Sequence, residues 1–266
     1  MDEPGESGGL AEGTLISHLV ELRDRLLRAM LAVGVCFIPC AYYMNQIFVF
    51  IAEPMRRKLP PGANLISTSV HGTFTVPFKM SLILAIGLAM PYVLFQAWAF
   101  IAPGLYKHEK KLAVPLLISS IVLFYLGAAF AYFLVFPIMI GFFVGITPPG
   151  VQMMTEMSNY LDFVMVLLLA FGLAFEVPVA TVLLVWTGFF KLETLKKNRK
   201  FVFLGIFIFA AFVTPPDAVS QSSLALPMYI LYEIGIIMAG ILLKDKIAAR
   251  AAEDAAAAEA QVRDGN

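Results

Sequence analysis

Charge is scarce in this chain: Asp, Glu, Lys and Arg make up 14% of its 266 residues, and the two signs cancel to a formal charge of zero. A soluble domain carries about a quarter charged residues, so a water-facing surface of ordinary size cannot be covered. The zero balance also gives nucleic acid no basic face to hold. Histidine numbers three (His18, His71, His108), all outside the apolar runs, and no zinc or haem site assembles from them. The two cysteines, Cys36 and Cys40, stand one helical turn apart in an apolar run. They read as small buried hydrophobes, neither a disulfide nor a metal pair. No GxxxxGK[ST] phosphate loop occurs, which excludes nucleotide hydrolysis by the chain itself. Met1–Glu12 is acidic and Gly-rich without an apolar core, so no cleavable signal peptide is expected.

Apolar sequence is abundant instead. Hydrophobic residues reach 60% and the mean hydropathy is +0.82, which is the composition of an all-α polytopic membrane protein. Runs bounded by charge or by Pro and Gly predict six spans: Leu26–Phe50, Phe78–Ile101, Leu112–Phe136, Tyr160–Thr187, Phe201–Val213 and Leu224–Leu243. The fifth has about 13 residues and reaches only ~20 Å, against the roughly 30 Å of a hydrocarbon core. Either the bilayer thins around it or the last two segments make a shallow hairpin. Prolines within or beside the spans (Pro39, Pro91, Pro115, Pro137, Pro178, Pro227) predict bent helices. Residues 1–14 read as a disordered tail, 15–245 as a single membrane domain and 246–266 as a polar, Ala-rich C-terminal tail.

Basic residues orient the spans. Fifteen of the nineteen Lys and Arg residues fall on one side, before or in the first turn of the first span, between the second and third, between the fourth and fifth, and after the last. Both termini are therefore expected in the cytoplasm. Arg56, Arg57, Lys58 and Lys79 fall on the other side, and the Arg56-Arg57-Lys58 cluster runs against the rule.

The acids carry the chemistry. Glu176 lies near the middle of the apolar stretch Phe163–Phe190 and is its only ionisable residue there. A charge at that depth costs at least ~2.5–3.5 kcal/mol on insertion scales. It is either a protonated structural group bonded to a neighbouring helix or a functional one. Glu233 is a second in-membrane acid on another span, and Asp162 lies at an edge. Near the N-terminus, Leu15, Leu19, Leu22 and Leu26 recur at helical spacing, an amphipathic lead-in that Ser17 could cap. In it Glu21 and Arg25 stand i,i+4, as do Asp24 and Arg28. Taken alone these are surface pairs worth a few tenths of a kcal/mol, of the order ~0.2–0.5. Glu109, in the loop Ile101–Lys111, precedes the third span on the same predicted face as Glu21. There it either caps that helix or, with Glu21, accepts two guanidinium groups by forked hydrogen bonds, with Trp98 and Phe100 as an apolar wall. The spans hold neither a Ser–His pair nor two aspartates suited to intramembrane proteolysis, so no catalytic residue is expected.

Four motifs in order give the chain a resemblance to the TatC family of the bacterial twin-arginine protein translocase. They are HLVELRDRL (His18–Leu26), QAWAFIAPGLYKHEKK (Gln96–Lys111), FGLAFEVPV (Phe171–Val179) and TPPDAVSQ (Thr214–Gln221). The similarity runs from about Leu15 to about Lys244. It implies six transmembrane helices in a curved, glove-like arrangement with the last two short. It implies a non-enzymatic receptor, without cofactor or metal, for folded cargo bearing Arg-Arg signal peptides. At the matching positions Glu21 and Glu109 would contact the paired arginines, with Arg23, Arg25, Phe100 and Lys107 in the same patch. Glu176 would meet single-span TatA- and TatB-type partners inside the inner membrane. Pro54 and Asp217 match sensitive external positions. The resemblance further implies self-association and drive by the proton-motive force. Read from the residues alone, a proton-coupled small-solute transporter with Glu176 as proton carrier is the competing function.

Overall fold

The protein is described here by a computed structural model, which describes residues 6–57, 66–101, 110–148, 151, 154–214, 217–250, 252 and 256. The regular elements among them are helices: α1 (Glu6–Tyr42), α2 (Met44–Arg56), α3 (Gly72–Ile101), α4 (Lys110–Phe130), α5 (Phe136–Gly145), α6 (Met157–Ala174), α7 (Val177–Thr187), α8 (Leu192–Lys197), α9 (Arg199–Val213) and α10 (Ala218–Leu242). A π-helical turn, Ala131–Val135, joins α4 to α5. The all-α membrane fold expected from composition is the fold found. Among the described residues, five helical segments are long and apolar enough to cross a membrane: Ile16–Tyr42, Gly72–Phe100, Ala113–Gly145, Met157–Thr187 and Ala218–Leu242. The remaining predicted span, the fifth, corresponds to α9, whose 15 residues reach only ~22 Å.

The boundaries depart from the sequence reading in two places. The first span does not run on to Phe50: α1 ends at Tyr42, and Met44–Arg56 is a separate helix with a marked apolar face. Hydropathy alone merged the two because both are apolar, whereas the join is a one-residue turn at Tyr43. Ser17 is also no N-cap. The helix starts at Glu6, inside the segment 1–14, so Ser17 lies within it.

Two other interruptions trace to proline. The π turn puts the Phe136 N–H onto the Ala131 carbonyl, just before Pro137, which has no N–H to continue the α pattern. Pro178 likewise cannot donate to the Ala174 carbonyl, and the helix breaks there between α6 and α7.

The chain divides into two compact units, Met1–Val122 with Gln152–Met165, and Leu123–Val151 with Val166–Asn266. In the first, α1 and α3 lie antiparallel. His18 stacks on Phe100 at one end (4.4 Å) and Phe37 meets Phe78 edge-on at the other (5.2 Å). The segment around Ile66 is tied to the start of α6. Met157 donates to the Ile66 carbonyl, and Thr68 and Asn159 donate to the two oxygens of Glu156 (each 2.7 Å). Lys79 reaches both oxygens of Asp162 at 3.3 Å.

In the second unit helices touch through glycine. A Cβ on Gly127 would sit 2.4 Å from the Phe171 carbonyl oxygen, one on Gly172 would sit 2.6 Å from the Phe124 ring, and one on Gly235 would sit 2.9 Å from the Pro178 Cα. Small residues permit this close approach where lipid offers no hydrophobic drive. Beyond α10, Arg250 returns to α7. Its Nη1 and Nη2 donate to the carbonyls of Val185 and Trp186 (2.9 and 3.0 Å), adding to the Gly188 N–H that Val185 already accepts in the last turn. Gly188, at φ +81°, ends α7 and leaves room for that guanidinium.

Candidate functional site

Two acids set apart by the sequence lie in different units, and each has its own surroundings. In the first unit Glu21 sits on α1, one turn before Arg25. Arg25 Nε and Nη2 both donate to Glu21 Oε1, at 2.9 and 2.5 Å. Arg25 Nη1 faces Gln96 Oε1 on α3 at 3.4 Å. Gln96 is 5% exposed, while the side chains of Arg25 and Glu21 keep 21% and 37% of their surface. The arrangement is thus a carboxylate open to solvent, already gripping a guanidinium whose far edge rests on a buried amide. Stacking of His18 on Phe100 forms the apolar flank beside it. Arg23 turns aside to Asp24 (2.9 Å), both well exposed.

The α1–α3 pairing brings Glu21, Arg25 and Phe100 to one end of that helix pair. Glu109 and Lys107, the other patch residues expected from sequence, lie outside the described residues. The sequence reading did not single out Gln96 or His18 as site residues. Gln96 carried a usable signal, a primary amide within an otherwise apolar helical run, which seldom goes unused.

Leu19, Leu22 and Leu26, the apolar stripe of the amphipathic lead-in, remain 64%, 42% and 57% exposed. Their apolar face turns outward from the unit.

In the second unit Glu176 is the N-cap residue of α7, at φ −75° and ψ −15°, half-buried in the break between α6 and α7. The break is held on both flanks. Phe175 leans on Phe130 (5.6 Å) and closes on Gly127, and Pro178 and Thr181 close on Gly235. The carboxyl group is therefore positioned by backbone geometry, because two close helix approaches leave the break little freedom to slide. Glu233 on α10 is differently placed. It accepts from Arg199 at 2.8 Å and from the Tyr229 hydroxyl at 3.0 Å, so its charge is compensated within the unit.

Asp217 caps α10, its Oδ1 accepting from the Ser220 N–H at 2.7 Å. Two residues of the same motif tighten the join to α9: Gln221 donates its amide to the Phe207 carbonyl, and Thr214 is bonded back to Ala210. Pro54 falls in the last turns of α2, and its side chain lies outside the described set. Both cysteines are free thiols, Cys40 buried.

A family model described as Sec-independent protein translocase protein (TatC) matches residues 17–227. The chain is 52% identical over 222 residues to the Sec-independent protein translocase protein TatC of Azotobacter chroococcum mcd 1, covering 84% of this chain and 87% of that protein. It is 50% identical over 222 residues to the TatC of Escherichia coli (strain K12), covering 84% and 86%. A solved structure titled as the twin arginine translocase receptor TatC superposes with a TM-score of 0.76 at 35% identity, over 84% of this chain and 98% of that one. Identity and coverage at this level, with the fold in agreement, place the assignment beyond resemblance: the chain belongs to the TatC family of Sec-independent protein translocase subunits, multi-pass membrane proteins of transport and not enzymes.

Proposed function

We propose that this protein is the receptor subunit of a twin-arginine export system, in the bacterial inner membrane with both termini in the cytoplasm. In this reading, Arg-Arg signal peptides of folded cargo dock at its cytoplasmic face. Glu21 and Glu109 accept the two guanidinium groups, and Arg23, Arg25, Phe100 and Lys107 shape the patch. Glu176 offers a polar contact to single-span TatA- and TatB-type partners within the bilayer, copies of the chain associate with one another, and the proton-motive force drives passage. Pro54 and Asp217 serve on the external side.

One observation supports the recognition step above the rest. Glu21 holds a guanidinium through two N–H donors at 2.9 and 2.5 Å while keeping over a third of its side chain exposed. Its position and orientation suit the ligand chemistry proposed. Charge-assisted bonds of this kind contribute about 1.5–3 kcal/mol. Glu21→Ala is accordingly expected to cut site-specific crosslinking to an Arg-Arg signal peptide by about tenfold or more, with insertion and abundance unchanged. Undiminished crosslinking in that variant would remove the recognition reading. Glu176→Gln keeps hydrogen-bonding capacity and removes titration, so export close to the parent's is expected. Loss of export in Glu176→Gln with partner assembly intact would favour the proton-carrier alternative.

A further inference from the structure

Selection of arginine over lysine is the unexplained part of that reading, because an exposed ion pair is worth only about 0–1 kcal/mol whichever cation makes it. The geometry around Arg25 supplies a discriminating element. We propose that Arg25 is a specificity-determining residue, a resident guanidinium that only an incoming guanidinium displaces well, with Gln96 as the acceptor that receives it. The proposal rests on the paired-arginine reading above.

The argument starts from how Glu21 is occupied. Both Arg25 donors converge on Oε1, and among the described residues Oε2 accepts no hydrogen bond. A forked grip on a ligand needs both oxygens, so Arg25 must leave Oε1. An arriving guanidinium replaces two N–H donors with two, and nothing is lost at the carboxylate. The departing Arg25 is not stranded either. Its Nη1 already lies 3.4 Å from Gln96 Oε1, and a small rotation shortens that contact into a full hydrogen bond. Gln96 is buried on α3 and neutral, so it can hold Arg25 without competing for the ligand's charge.

An ammonium is a point charge and cannot reproduce the fork. It takes Oε2 and leaves Arg25 in place, so two cations crowd one carboxylate. Like charges a few ångströms apart at a partly exposed site oppose binding by an amount that salt reduces but does not abolish. Arg23 adds little to this crowding, since it is turned onto Asp24. The selectivity is then a penalty imposed on lysine, more than a reward given to arginine.

Opposite consequences follow for two residues in contact. In Arg25→Gln the lysine penalty disappears, whereas arginine gains little because its exchange was nearly even. In Gln96→Leu the evicted Arg25 has nowhere to go, so arginine binding weakens and lysine binding does not. The experiment measures fluorescence anisotropy of two labelled signal peptides, identical except for Arg-Arg or Lys-Lys, against the full chain in nanodiscs. Arg25→Gln is expected to tighten Lys-Lys binding about fivefold more than it changes Arg-Arg binding, narrowing the preference between the two peptides. Gln96→Leu is expected to weaken Arg-Arg binding about threefold, with Lys-Lys unmoved. A parallel shift of both peptides in Arg25→Gln, or no loss for Arg-Arg in Gln96→Leu, overturns the proposal while leaving the receptor reading in place. If the parent protein binds both peptides alike, the receptor reading falls and the proposal with it. Higher salt serves as a control, since it should narrow the parent's preference.

Discussion

The helix pair α1–α3 and the helix set α4, α6, α7 and α10 solve different problems with similar composition. Only 11% of the apolar window of Ile16–Tyr42 is buried within the protein, against 56% for Met157–Thr187. Beyond their own helix backbone, Gly34 on α1 and Gly87 on α3 have no neighbour within 4 Å of the place a Cβ would occupy, whereas Gly127, Gly172 and Gly235 are each closed off by a neighbouring helix. A glycine in open surroundings costs helix stability and returns no packing. A glycine under a crossing helix converts that cost into contact. The second set is therefore built to keep its internal geometry, including the break that carries Glu176. On α1, apolar side chains such as Leu19, Met30, Leu31 and Ile38 face outward at 61–72% exposure and are left for lipid or a partner.

That contrast breaks most sharply at the glycines. Gly127→Ala is expected to lose about 1–3 kcal/mol, because the new methyl meets the backbone carbonyl oxygen of Phe171, which cannot rotate away. Thermal unfolding in detergent would register this as a clear drop in midpoint. Gly34→Ala, matched in chemistry, is expected to leave the midpoint unchanged or raise it, by up to ~0.5–1 kcal/mol from helix propensity. Equal losses in the two variants would end the distinction.

A smaller effect is expected where the chain's end ties itself to the second unit. Arg250→Ala removes the guanidinium donors from the carbonyls of Val185 and Trp186, Val185 keeping the Gly188 N–H of the α7 cap. The loss should be about 1–2 kcal/mol, read as faster amide exchange at the end of α7 or earlier proteolysis after Gly188. Arg250→Lys should recover only part of it, since one ammonium replaces a two-pronged donor. The smallest effect belongs to the first unit. Lys79 and Asp162 meet at 3.3 Å with about half of each side chain exposed, so Lys79→Ala should change stability by less than about 1 kcal/mol and lose even that in high salt. A large, salt-insensitive loss there would mean that the first unit depends on polar ties as strongly as the second depends on close packing.

Much of this was readable from composition and spacing. Apolar runs located the membrane segments because a 30 Å core demands about 20 consecutive apolar residues. Pro178 marked the interruption at α7, because its missing N–H removes a rung of the ladder, whereas Pro39, Pro91, Pro115 and Pro227 lie inside continuous helices. The pairing of Glu21 with Arg25 was readable too, since carboxylate and guanidinium at i,i+4 meet on any helix. Other features were not readable. The division between α1 and α2 lies inside one apolar run, where hydropathy does not register a turn. The outward face of Leu19, Leu22 and Leu26 was invisible because periodicity reports a stripe without saying what covers it. Gln96 meets Arg25 only because α3 runs antiparallel to α1 and brings position 96 alongside position 25.

Taken by itself, the order of residues determined that the chain is helical, lies in a membrane, belongs to the translocase family and carries acids at two places. Those properties follow from local chemistry, from hydrophobic length, dihedral preference and charge. Tertiary structure decided who holds those acids. It set Arg25 between Glu21 and a buried amide some seventy residues away, compensated Glu233 with Arg199, and locked the break at Glu176 between two glycine contacts. Such pairings depend on which helices meet and at what register, and that is a property of packed surfaces, which no single segment contains.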